Sequence, residues 1–63
     1  MNPMKSVSQR EKELQSVLAT PEGRSELEDL ASRYCAADGS VRPEGTSVVT
    51  FILVHERKRG LIG

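Results

Sequence analysis

The segment from Thr46 to Gly63 decides what this chain can fold into. It holds the longest unbroken apolar run, Phe51-Ile52-Leu53-Val54, preceded by Ser47-Val48-Val49-Thr50. Its β-branched residues suit a buried strand. A strand needs a partner of comparable length, however, and nothing else in the 63 residues offers one. The segment also ends like a helix. Arg57-Lys58-Arg59 places cations on the last turn, Gly60 can take positive φ at C′, and Leu61 is the apolar C″ residue of a Schellman motif. Thr46 or Ser47 supplies the N-cap. The segment is therefore predicted as a helix. The competing architecture is α+β, with 47–54 as a strand paired between subunits.

Two further helices are written upstream. Residues 1–5 read as a flexible tail, after which Ser6 or Ser8 can cap a first helix. Ser8 with Glu11 fits the S-x-x-E capping box. Val7, Leu14, Val17 and Leu18 fall on one face, and this helix should run to about Ala19. Thr20-Pro21-Glu22 starts the second helix. Thr20 is the N-cap, Pro21 sacrifices no hydrogen bond at the first position, and Glu22 meets the positive end of the helix dipole. Leu27, Leu30, Ala31 and Tyr34 make its buried stripe, with Asp29 and Arg33 as an i,i+4 pair on the flank. Gly39 ends it, and residues 39–46, with two glycines and a proline, form a loop. The expected fold is all-α: one small three-helix domain spanning 1–63.

Such a chain has little with which to hold itself together. Its only aromatics are Tyr34 and Phe51. Domains this small often rely on disulfides, a metal or a partner subunit. The lone Cys35 excludes an intramolecular disulfide, and one His with one Cys cannot close a structural zinc site. That leaves association. A third helix apolar nearly all round from Val48 to Val54 is expected to be buried on more than one side, two neighbours covering part and a second subunit the rest. Nine basic and nine acidic residues balance, so nothing marks a generic polyanion binder. The polar start, Met1 to Glu13, shows no signal-peptide h-region, and no run approaches the ~20 apolar residues of a membrane span. A reducing cytoplasm is the expected compartment, with no membrane partner.

Chemistry-bearing residues are few. His55 is the natural place to look, since only His titrates unaided near neutrality. Nucleophilic catalysis would need Cys35 or a Ser beside it and an orienting acid, and no spacing requires that. Cys35 is expected to be a small core residue. His55 is expected to be a partly exposed helix residue, or one whose charge helps the C-terminal end of the third helix. Glu22, Glu26 and Asp29 share a face with no His or Asp partner elsewhere, and are expected to be solvated. Gly39 and Gly45 match no phosphate-binding pattern. No catalytic residue, metal or cofactor is expected, and the chain is read as a non-enzyme. The candidate binding residues are His55, Arg57, Lys58 and Arg59, which could contact a phosphate or an acidic partner.

Two resemblances bear on these residues. Thr46-Ser47-Val48-Val49-Thr50 through Arg57-Lys58-Arg59-Gly60-Leu61-Ile62 resembles the recognition helix and exit of winged-helix regulators, over about a quarter of the chain. It departs from them at Glu56, where that pattern has an apolar core residue, and in the longer loop before the helix. The resemblance implies nucleic-acid binding through the basic cluster. Thr-Pro-Glu-Gly-Arg (20–24), Arg-Pro-Glu-Gly-Thr-Ser (42–47) and Ile-Leu-Val-His-Glu-Arg (52–57) together resemble short bacterial proteins with no assigned function, which implies no site residues. The expected function is a helical protein–protein interaction module that self-associates as a homodimer. The alternative is a nucleic-acid-binding, helix-turn-helix-like domain using Arg57, Lys58 and Arg59.

Overall fold

The computed structural model describes residues 4–63. It contains α1 (Val7–Leu18), α2 (Pro21–Asp38) and α3 (Val48–Lys58), with no strand among the described residues. The segment after the Pro-Glu-Gly loop is thus helical, and the strand alternative for 47–54 is set aside. Each helix packs on the other two. Residues 1–3 of the expected tail lie outside the described residues. Lys5 is engaged: its carbonyl accepts from the Gly63 N–H at 3.0 Å, and the Val7 N–H donates to the Gly63 carbonyl at 3.2 Å.

That exchange of backbone bonds fits where α1 begins. The N-cap is Ser6, whose hydroxyl accepts from the Gln9 N–H while the Gln9 side chain accepts from the Ser6 N–H, both at 3.1 Å. The capping box is therefore Ser6–Gln9 and not Ser8–Glu11. Both pairs satisfy the local rule, but only the earlier start puts Val7 in register with Gly63. At the other end, Ala19 caps α1 and Thr20 immediately caps α2, accepting from the Gly23 N–H at 3.0 Å.

The short α1–α2 joint brings backbone against backbone. Gly23 is buried, and a Cβ built there would lie 1.8 Å from the Val17 carbonyl oxygen. Only glycine allows the first turn of α2 to sit against the last turn of α1.

Helix α2 ends as expected at Gly39, with φ of 72°. Helix α3 starts at Ser47, which accepts from the Thr50 N–H at 3.2 Å. Its exit is a complete Schellman motif: Leu61 N–H donates to the Glu56 carbonyl at 2.9 Å and Gly60 N–H to the Arg57 carbonyl at 3.1 Å, with Gly60 at φ 74°. Leu61 is exposed and Ile62 is buried.

Leu14 of α1, Leu27 and Ala31 of α2, and Val48, Val49, Phe51 and Ile52 of α3 form the core. Val17, Leu18, Leu30, Tyr34, Cys35 and Leu53 pack around it, which gives Cys35 the core role expected for it. The contribution of α3 is the largest. Its opposite side, Thr50 and Val54, is uncovered.

In an exposed helix, Gly→Ala gains about 1 kcal/mol. Gly23→Ala should do the reverse and cost about 1–3 kcal/mol through overpacking against Val17. Urea denaturation reads the sign, and a stabilised variant would contradict the close approach.

Candidate functional site

The polar centre of the molecule is Glu56. It lies one turn beyond Ile52 on the buried face of α3 and is itself buried. Arg10 stands on α1 between Val7 and Leu14, on the same inward stripe. Its Nε donates to Glu56 Oε1 at 2.7 Å and its Nη2 to Oε2 at 2.9 Å, a two-pronged ion pair. The Tyr34 hydroxyl of α2 donates to Oε2 at 2.9 Å. One carboxylate thus ties all three helices together. Arg10 also reaches Glu13 at 3.2 Å, and the Arg59 guanidinium sits 4.6 Å over the Tyr34 ring.

The electrostatics follow from these contacts. Burial pushes the Glu56 carboxyl up, but the hydrogen bonds from Arg10 and Tyr34 outweigh it and hold the group below the ordinary carboxylate value. Burial and then the bond to Glu56 push the Tyr34 phenol up. The Glu56 hydrogen bond holds Arg10 more firmly charged than an isolated guanidinium. The Arg10–Glu56 pair is not among the sites expected from the sequence. The signal was present: each charge occupies an apolar stripe, Val7-Arg10-Leu14 and Val49-Ile52-Glu56.

His55 requires a correction. Expected to be partly exposed, it is only 5 % exposed. Its ring stacks on Tyr34 (centroids 5.9 Å, planes 5° apart) and packs against Phe51 at 4.3 Å. Its Nδ1 lies 3.2 Å from Asp38 Oδ2, at the end of α2. The 18-residue α2 is long enough to bring Asp38 over the imidazole and cover it. His55 therefore forms part of a cleft wall and does not project as a surface contact. The cleft, about 390 Å³, also takes in Ser40, Val41, Pro43 and Lys58. A nucleophile–base pair would need a hydroxyl or thiol hydrogen-bonded to the ring. Ser40, the nearest hydroxyl-bearing residue to Asp38 in sequence, borders the cleft, but its Oγ is not hydrogen-bonded to the ring. The Asp38–His55 contact brings the end of α2 against α3.

The other three candidate residues separate. Arg59 is turned onto Tyr34. Arg57 and Lys58 are exposed, with no carboxylate within ion-pair distance among the described residues. Lys58 borders the cleft beside His55, and Arg57 borders a second depression of about 230 Å³ with Val7 and Leu53. The acids of α2 are solvated as expected: Glu22 and Glu26 are exposed, Asp29 pairs with Arg33 at 2.9 Å, and Glu28 with Arg42 at 3.1 Å. Among the described residues no group of three potential metal ligands converges.

No family model matches the chain, and no curated protein or solved structure matches it.

Arg10→Met should cost about 2–4 kcal/mol, because it leaves the Glu56 charge buried without its main partner. The double variant Arg10→Met, Glu56→Leu should recover at least half of that loss, since it removes both charges together. Chemical denaturation of the two variants provides the comparison. A double variant less stable than Arg10→Met would contradict this account of the junction.

Proposed function

We propose that the chain is a protein–protein interaction module: a small helical scaffold that presents the outward face of α3 to a partner protein. One observation carries this. A chain with a thin core leaves Val54 half-exposed between two apolar-lined grooves, one bordered by the 83 % exposed Val41 and the other by the half-buried Leu53 and Val7. Scattered exposed apolar residues need no explanation, whereas grouped ones mark interaction sites. The module acts by binding and performs no chemistry. No described helix is long and apolar enough to cross a membrane. We place the protein in the cytoplasm, because the fold is built without a disulfide and keeps Cys35 free.

A second proposal rests on Arg57 and Lys58. Two exposed cations at the C-terminal end of α3, without carboxylate partners among the described residues, suit phosphate contacts to a nucleic acid.

Capture from native extract with the immobilised chain compares the two. The wild-type chain should retain a protein that Val54→Glu loses, while the variant keeps its helical circular dichroism. Identical retention by both would remove the proposed face. Material lost on nuclease treatment and on neutralising Arg57 and Lys58, but kept by Val54→Glu, would favour the nucleic-acid proposal.

A further inference from the structure

The outward side of α3 is a ridge between two grooves. Thr50 and Val54 stand four residues apart on one helical row, and both border the loop-side cleft of about 390 Å³ and the α1-side depression of about 230 Å³. Building on the assignment of this face as a protein-binding surface, we propose that its occupant is a second copy of this chain. The two copies dock with their α3 helices antiparallel, about a two-fold axis close to Val54.

Shape supports self-recognition. A ridge flanked by grooves is complementary to its own image, because the ridge of one helix enters the groove beside the ridge of the other. Two-fold symmetry then makes every contact twice. Val41, projecting from the loop at the edge of the larger groove, is covered in the same step.

Charge selects the orientation. A parallel pair would bring Arg57 and Lys58 of both copies to one end, where like charges repel. The antiparallel pair sends them to opposite ends. It also keeps the loop side of one helix against the loop side of the other. Lys58 lies on that side, at the C-terminal end of α3, so it approaches the loop that precedes α3 in the partner. Glu44 occupies that loop. It is exposed and has no cation within ion-pair distance among the described residues of its own chain. Lys58 facing Glu44 of the partner subunit, repeated by symmetry, gives both of these charges a partner.

Sedimentation velocity over micromolar to millimolar concentrations tests this with the wild type, Glu44→Lys, Lys58→Glu, their double variant and Val54→Glu. All three changed positions carry exposed side chains, and helical circular dichroism checks that each variant folds. The wild type should self-associate, and Val54→Glu should be monomeric. Each single charge reversal should lower the association constant about threefold to tenfold, and the double reversal should return it to within about twofold of wild type. A wild type monomeric throughout would overturn the second copy, and so would a double reversal weaker than either single one. If that monomer still captures another protein in a Val54-dependent manner, the interaction surface stands and only its occupant is wrong. If Val54→Glu alters neither association nor capture, both proposals fall.

Discussion

A single carboxylate at the meeting point of three helices organises this molecule. Glu56 of α3 takes two hydrogen bonds from Arg10 of α1 and one from Tyr34 of α2. A buried ion pair adds little net stability over apolar residues of the same size, because desolvation offsets most of the attraction. Its force lies in what it forbids. Any packing that separates Glu56 from Arg10 leaves a charge stranded in an apolar interior. With so few large side chains to interlock, that constraint does much to choose one arrangement of the helices. Arg59 over the Tyr34 ring and Glu13 on Arg10 extend the contact to both ends of the cluster.

Two joints complete the frame, and they differ in kind. Between α1 and α2 the joint is steric: Gly23 admits the Val17 carbonyl, and Thr20 caps the new helix at once. Between α2 and α3 it is polar and aromatic: Asp38 faces His55, which is held between Tyr34 and Phe51. Together with the Glu56 junction they turn the inner face of α3 wholly inward. The consequence is that Thr50 and Val54 are directed outward, left exposed by the described residues. The candidate binding surface is in this sense a by-product of how tightly the other side is held.

Local signals made most of the fold legible. Thr20-Pro21 and Gly39, and Gly60 after a cationic turn, specify helix ends through bonds made within a few residues, and the structure places the ends there. The start of α1 was harder because Ser6-x-x-Gln9 and Ser8-x-x-Glu11 both satisfy the same rule, and only the distant Gly63 backbone distinguishes them. The candidate site was legible in part. Arg57 and Lys58 are exposed on α3 as their positions suggest, but Arg59 turns to an aromatic ring on another helix. His55 is buried because α2 extends to Asp38, and Glu56 because Arg10 arrives from 46 residues away. Periodicity could show that the two charges sat on apolar stripes. It could not show that they meet.

The ionisation of Glu56 tests the account at its centre. A carbon-detected NMR titration of its side-chain carboxyl gives the midpoint directly. Burial alone would raise that midpoint above the ordinary glutamate value of about 4.3. With Arg10 and Tyr34 donating to it, the midpoint lies below that value, so the stability the junction confers is present above it and is lost as the pH falls through the lowered midpoint. A Glu56 carboxyl that titrates at or above the ordinary value would show that the three helices are not joined through it.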